Sequence, residues 1–282
     1  MKNWKLKRRK KRRKKSKLET FSSYSKVYIV WFIMSKIKAL VLCGGEGKRL
    51  RPITYYIQKT MIPIGHNEKP LLEYIVRLLK FHSLTDITFL ANYKAQQIKS
   101  YFGDGTRFDV GIHYVQDSEL LKGTGGSLIN AYLKKAFNEE DTILVYYGDI
   151  ITNINLTNFI DFHNEKAASA TVAVASGFEV RVGVANLAET GKIQGFVEKP
   201  KLEKPVSIGI LAFEVEAIRE SQKLTHQKES VDLMGDIIPH LIDIGRPVYG
   251  FESDAFWYDV GSIEAYEKLD MDKIAEETAF MF

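Results

Sequence analysis

Leu40-Val-Leu-Cys-Gly-Gly-Glu-Gly-Lys-Arg-Leu-Arg-Pro52, followed seven residues later by Lys59, decides how this chain is read. The apolar run from Ile37 to Leu42 is short and stops at a glycine pair, as a buried strand running into a tight turn does. Gly44, Gly45 and Gly47 carry no side chain, so their backbone N–H groups can approach an anion closely. Lys48, Arg49, Arg51 and Lys59 bring positive charge to the same place, and arginine grips phosphate oxygens as a bidentate fork. The spacing excludes a Walker loop, and Leu50 stands where a dinucleotide fingerprint needs its third glycine. A polyphosphate cradle of another kind is expected.

Outward from this segment, strand-like and helix-like stretches alternate. Leu71, Leu72, Ile75, Leu78 and Leu79 recur at helical spacing behind Pro70, which sits as a first-turn proline. Strands are predicted at 86–91, 111–116 and 142–147, with helices near 94–102 and 125–137 between them. Beyond Asp149 a helix is predicted near 156–163 and strands at 168–175, 183–187, 193–198 and 207–213. Helices at about 214–222 and 231–244, a strand at 248–252 and a final helix from Ser262 complete the chain. This order indicates an α/β fold with a mixed, mostly parallel sheet flanked by helices on both faces.

A chain of 282 residues with 45% apolar residues can bury a large core. The net charge of +5 hides two opposed parts. Residues 1–33 hold 13 Lys and Arg against Glu19 alone, or +12, which leaves 27 basic and 34 acidic residues, or −7, for the remainder. That first segment is too charged to join a core and is read as a disordered basic extension, able to meet nucleic acid or an acidic membrane surface through phosphates only if it is part of the native protein. Met34 is the alternative start, which makes residues 34–282 one catalytic domain. No apolar run is long enough to span a bilayer, and the lone Cys43 fits a reducing, cytoplasmic setting as a core residue.

Ligands of open α/β sheets bind at the carboxyl ends of the strands, which gives weight to acids just after apolar runs. Asp149 follows Ile143-Leu-Val-Tyr-Tyr-Gly, and Asp259 follows Phe256-Trp-Tyr. Each alone reads as a turn or capping aspartate. Beside a polyphosphate loop they form a carboxylate pair suited to Mg²⁺, which takes one or two carboxylates plus substrate phosphates. In Phe196-Val-Glu-Lys-Pro200, Glu198 can accept hydrogen bonds from hydroxyls and Lys199 can meet a phosphate at a strand end.

Together these residues resemble the sugar-phosphate nucleotidyltransferases, over about residues 36 to 269. Leu42-Cys-Gly-Gly-Glu-Gly-Lys-Arg-Leu-Arg-Pro-Ile-Thr54 looks like the family's glycine-rich signature, with Lys59 as the lysine that closes it. Gly123-Thr-Gly-Gly-Ser127 is similar to the segment lining the base pocket. Gly148-Asp149, Glu198-Lys199-Pro200 and Trp257-Tyr-Asp-Val-Gly261 follow in the family's order. The resemblance implies a Rossmann-like sheet of the nucleotide-diphospho-sugar transferase type. It further implies that Gly44, Gly45 and Arg49 hold a nucleoside triphosphate, that Lys59 holds phosphate, and that Gln116 and Gly123 lie at the base. Asp149 and Asp259 would bind Mg²⁺, Gly183 and Glu198 would hold the sugar, and Lys199 would meet its phosphate. The implied reaction joins a nucleotidyl group to a sugar 1-phosphate and releases pyrophosphate, a transfer that needs positioning and charge neutralisation more than a covalent nucleophile. Short relatives acting on mannose or glucose 1-phosphate are the nearest pattern, and a homo-oligomer is compatible with it.

Three departures stand out. Gln58 replaces the proline that usually precedes the signature lysine, which is expected to loosen that turn. Lys122 lengthens the base-side loop, leaving Gln116, Asp117 and Glu119 as candidate base readers. Ser207-Ile-Gly209 replaces an asparagine-containing sugar segment. The competing reading is a non-catalytic nucleotide or sugar-phosphate binding subunit of the same fold, against which the retention of both aspartates and Lys199 argues.

Overall fold

The first strand, β1 (Ile37–Leu42), is apolar on both sides because both of its faces are covered. Ala39 and Val41 pack into one hydrophobic cluster and Leu40 into another, so the alternation of a strand assigns neighbouring residues to opposite layers. In the computed structural model the described residues are 37–180, 182–202 and 204–282. The expectation for residues 1–33 lies outside them.

In chain order the following elements are β2 (Pro63–Ile64), β3 (Lys69–Pro70), α1 (Leu71–Phe81), β4 (Asp86–Ala91), α2 (Ala95–Phe102), β5 (Gly111–Gln116), α3 (Gly123–Leu133) and β6 (Thr142–Tyr147). Then come β7 (Ile150–Thr152), α4 (Leu156–Glu165), β8 (Ala170–Ala175), β9 (Val184–Leu187), β10 (Ile193–Val197), β11 (Val206–Glu214) and α5 (Val215–Ser221). The chain closes with α6 (Ile238–Asp243), β12 (Val248–Glu252), β13 (Trp257–Asp259), α7 (Ile263–Glu267) and α8 (Met271–Thr278).

Seven strands form one sheet in the order β12-β8-β11-β6-β1-β4-β5. All pairs in it are parallel except those of β11 with β6 and β8. The sheet is therefore mixed and mostly parallel, as the alternating sequence pattern predicts. One layer holds Leu72, Ile75, Ile98, Phe102 and Phe159 over Val41, Phe89 and Tyr146. The other holds Leu128, Ile129, Ile218 and Leu241 over Leu40, Leu90 and Val145. No helix among the described residues is long and apolar enough to cross a membrane.

Several predicted boundaries shift for local reasons. Pro70 is the residue before α1 and bridges to Pro63 in β2, so it precedes the first turn that it was expected to occupy. The α3 helix runs from Gly123 to Leu133, and Lys135 at φ 56° turns the chain before Phe137. The helix expected over 231–244 is instead a π turn, Leu233–Ile237, followed by α6. Asp232 caps the turn through the Met234 and Gly235 N–H groups, and a proline opens the helix behind it. The final helix is two, because Asp270 starts α8 afresh by accepting the Lys273 N–H at 2.9 Å. The exposed β9–β10 hairpin forms its own two-stranded sheet.

Candidate functional site

The glycine loop leaves β1 at the carboxyl edge of the sheet, and backbone bonds fix its root. Cys43 N–H donates to the Leu90 carbonyl at the end of β4 (2.9 Å), and Gly148 N–H donates to the Leu42 carbonyl (3.0 Å). Farther along, the Thr54 hydroxyl donates to the Gly47 carbonyl (2.9 Å), and the Tyr93 hydroxyl donates to the Thr54 carbonyl (3.0 Å). The loop is thus held over the ends of β1, β4 and β6.

Lys59 opens a short 3₁₀ turn, Lys59–Met61, and its ammonium is ion-paired with the Asp149 carboxylate just past β6. Both side chains are mostly buried. Contrary to expectation, Gln58 does not loosen this turn. It is fully buried and its side chain caps the turn by accepting the Thr60 N–H.

Two strands of three residues bring the aspartates together across 110 positions of chain. Antiparallel pairing of β13 with β7 sets Asp259 opposite Ile150, and Val260 N–H donates to the Asp149 carbonyl at 2.9 Å. Arg49 reaches the same spot: a side chain on Gly261 would meet Asp259 Oδ1 at 2.6 Å and Arg49 Nη2 at 2.9 Å. Arginine, lysine and two carboxylates therefore gather at one end of β6.

Two cavities adjoin there and share Tyr147 and Asp149. The first, about 940 Å³, is lined by Gly44, Gly45, Lys59, Asp117, Gly123 and Thr124 among others. The second, about 830 Å³, is lined by Arg49, Ser207, Gly209, Met234, Trp257 and Asp259 among others. Each is large enough for a ligand of small-molecule size.

Other expected site residues lie elsewhere. Gln116 ends β5 with its carbonyl held by Asn130 Nδ2 (3.0 Å) and Lys134 Nζ (2.7 Å), and it does not line the first cavity, whereas Asp117 does. Gly183 and Glu198 are brought together on the β9–β10 hairpin, where a side chain on Gly183 would meet Glu198 Oε2 at 2.7 Å. Neither they nor Lys199, exposed just beyond β10 at φ 48°, line the two cavities.

Tyr147, which carries no role in the sequence reading, and Asp117, one of three candidate base readers there, both line the first cavity. Burial pushes the Tyr147 phenol up to about 12, with the Thr124 hydroxyl opposing and the Asp232 and Asp149 charges adding to the rise. It therefore remains a neutral hydrogen-bond donor between the cavities. Burial also raises the pKa of Asp117 from its ordinary 3.8, partly offset by the Ser127 hydroxyl and the Lys134 charge. A carboxyl with a raised folded pKa holds its proton more tightly when folded. Its favourable contribution is full below the unfolded value and is lost as pH rises through the folded one. Asp117→Asn is thus expected to raise the thermal midpoint near pH 7, with the gain fading toward pH 3. Thermal denaturation at both pH values checks this, and an equal gain at both would contradict it.

No cluster of three or more His, Cys, Asp or Glu arranged for a metal ion occurs among the described residues. The donor set is instead a carboxylate pair beside a cavity, with a lysine ammonium already seated on Asp149. Hard oxygen donors in that number fit Mg²⁺, whose shell is ordinarily completed by waters and substrate phosphates.

Comparison with known proteins places this arrangement in context. A family model described as nucleotidyl transferase matches residues 38–276. The chain is similar to a UTP–glucose-1-phosphate uridylyltransferase from Synechocystis sp., with 36% identity over 244 residues, covering 82% of this chain and 61% of that protein. It is similar to a glucose-1-phosphate adenylyltransferase from Clostridium beijerinckii, with 27% identity over 264 residues, covering 86% of this chain and 67% of that protein. A crystal structure of HddC from Yersinia pseudotuberculosis complexed with GMP-PN superposes with a TM-score of 0.62 at 21% identity, over 82% of this chain and 96% of that one, a likeness of fold. The chain spans about three fifths of the length of the uridylyltransferase.

Proposed function

The chain belongs to the nucleotidyl transferase family, and on that premise we propose that it transfers a nucleotidyl group from a nucleoside triphosphate to a sugar 1-phosphate. The observation that carries this reading is the pair of adjoining cavities that share Tyr147 and Asp149, one beneath the glycine loop and Lys59, the other between Arg49 and Asp259.

The triphosphate occupies the first cavity, its base against Gly123 and Asp117 and its phosphates under Gly44 and Gly45. Lys59 leaves Asp149 for the phosphates, exchanging one anionic partner for another without exposing a bare charge. Arg49, at the edge of the second cavity, holds phosphate oxygens by its fork. An oxygen of the sugar phosphate attacks the α-phosphorus, the bond to the bridging oxygen breaks, and pyrophosphate carries away the electron pair. The attacking oxygen is already anionic, so the residues position and neutralise and no general base is needed.

Asp149 and Asp259 would hold Mg²⁺, which supplies charge neutralisation at the phosphates when bound. Gly183 and Glu198 hold the sugar and Lys199 its phosphate, from the β9–β10 hairpin whose flanking residues Phe178, Glu179 and Val206 line the second cavity. A cytoplasmic setting accords with these substrates.

Incubation with Mg²⁺, each common nucleoside triphosphate and a panel of hexose and heptose 1-phosphates is expected to release pyrophosphate with at least one pair. Release with none would overturn the reading. Ligand-induced stabilisation without turnover would point to a binding subunit instead.

A further inference from the structure

Gln58 has no exposed surface, and both the nitrogen and the oxygen of its amide are hydrogen-bonded. Its Nε2 donates to the Cys43 carbonyl at 2.6 Å, and its Oε1 accepts the Thr60 N–H at 2.5 Å and the Thr60 hydroxyl at 2.7 Å. A backbone carbonyl only accepts and a backbone N–H only donates, so this orientation of the amide is fixed by its neighbours. Its own N–H donates to Gln97 Oε1 at 2.7 Å, and Gln97 Nε2 donates onward to the Tyr56 carbonyl at 2.7 Å.

The backbone at Gln58 has φ −62° and ψ 139°. That φ is the one a proline ring imposes. The glutamine therefore keeps the conformation that a proline would enforce, and holds it by hydrogen bonds in place of a ring. It also does what a ring cannot, because one end of its amide is fastened to the root of the glycine loop and the other to the turn that begins at Lys59.

We propose that Gln58 is the positioning residue of the phosphate site, a buried strut that fixes the spacing between the glycine loop at Cys43–Gly45 and the Lys59 ammonium. The inference rests on the reading of the first cavity as a triphosphate site. Gln58, Cys43, Lys59 and Thr60 all line that cavity, so a change in the strut is felt on its wall. Removing the amide leaves the Cys43 carbonyl and the Thr60 N–H buried without partners, and the loop and the turn must move apart to reach water.

The experiment compares Gln58→Leu, which keeps the volume and removes the side-chain contacts, with Gln58→Pro, which keeps φ, removes the same side-chain contacts and also loses the backbone N–H donated to Gln97. Inorganic tripolyphosphate binding by calorimetry, the steady-state constants for the best substrate pair, and the thermal midpoint are measured for each. Both variants are expected to bind tripolyphosphate at least about tenfold more weakly and to lose about 10²-fold in kcat/KM for the triphosphate. The KM for the sugar 1-phosphate is expected to stay within about twofold, because the second cavity does not include the strut.

A lowered thermal midpoint with unchanged constants in the folded fraction would mean a structural role only and would overturn the proposal. So would Gln58→Pro with wild-type constants, since the φ restraint would then suffice. If the wild-type protein turns over no pair while the variants still lose tripolyphosphate binding, the proposed reaction fails and the strut stands. If the wild-type protein does not bind tripolyphosphate, the strut has no phosphate site to position and the proposal falls.

Discussion

Asp149→Asn is expected to lower pyrophosphate release by about 10²- to 10³-fold while leaving the protein folded. The carboxylate has two tasks. It neutralises the Lys59 ammonium in the free protein, and it supplies a hard anionic oxygen at the junction of the two cavities. Asparagine keeps the size and one acceptor oxygen but has no charge. On the proposed reading a hard divalent cation would have only one other carboxylate, Asp259, and a neutral amide oxygen is a poor ligand for it. The loss is therefore expected chiefly in kcat, accompanied by a higher Mg²⁺ requirement, with a smaller change in the KM for the triphosphate. Lys59→Met makes a useful contrast, because on the same reading it removes a phosphate contact and should raise that KM. Near-normal turnover by Asp149→Asn at ordinary Mg²⁺ would sink the assignment of this carboxylate.

The sequence made part of this site legible and hid the rest for identifiable reasons. The run from Ile37 to Leu42 and the glycines behind it could be read because a buried strand and a tight turn both leave strong local signals. The alternation of strands and helices up to Tyr147 was readable on the same ground. The pairing of Asp149 with Asp259 could be reached only by setting both beside the polyphosphate loop, since the strands that bring them together have three residues each, too short for any periodicity to show, and pair across most of the second half of the chain. The choice among Gln116, Asp117 and Glu119 stayed open because strand alternation says that neighbours point to opposite faces without saying which face meets a cavity. Gln58 was misread for a different reason. The absent proline was visible, but the partners that replace it, Cys43, Thr60 and Gln97, come together only in the folded chain. The split at Asp232 and Pro239 was within reach, because an aspartate able to cap and a proline able to open a helix both stand in the sequence.

Gly148→Ala is expected to cost about 1–3 kcal/mol of stability, as overpacking of a tight interior does, and to lower turnover by about 10²-fold without altering any charged group. The reason lies in how closely β6 approaches β1 where both end. A Cβ at position 148 would stand 2.5 Å from the Leu42 carbonyl oxygen and 2.8 Å from Thr60 Cγ2. Neither can swing aside. The Leu42 oxygen is backbone and already accepts the Gly148 N–H, while Thr60 is β-branched, buried and tied to Gln58. The end of β6 must instead move away from β1, carrying Asp149 from Lys59 and Tyr147 from the wall between the cavities. Gly45→Ala is the matching control, because a Cβ there meets nothing within 4 Å, and its effect on stability should stay within about 0.5 kcal/mol. Chemical denaturation of both variants, together with kcat for Gly148→Ala, tests the argument. If Gly148→Ala keeps wild-type stability and turnover, the close approach of the two strands does not set the position of Asp149.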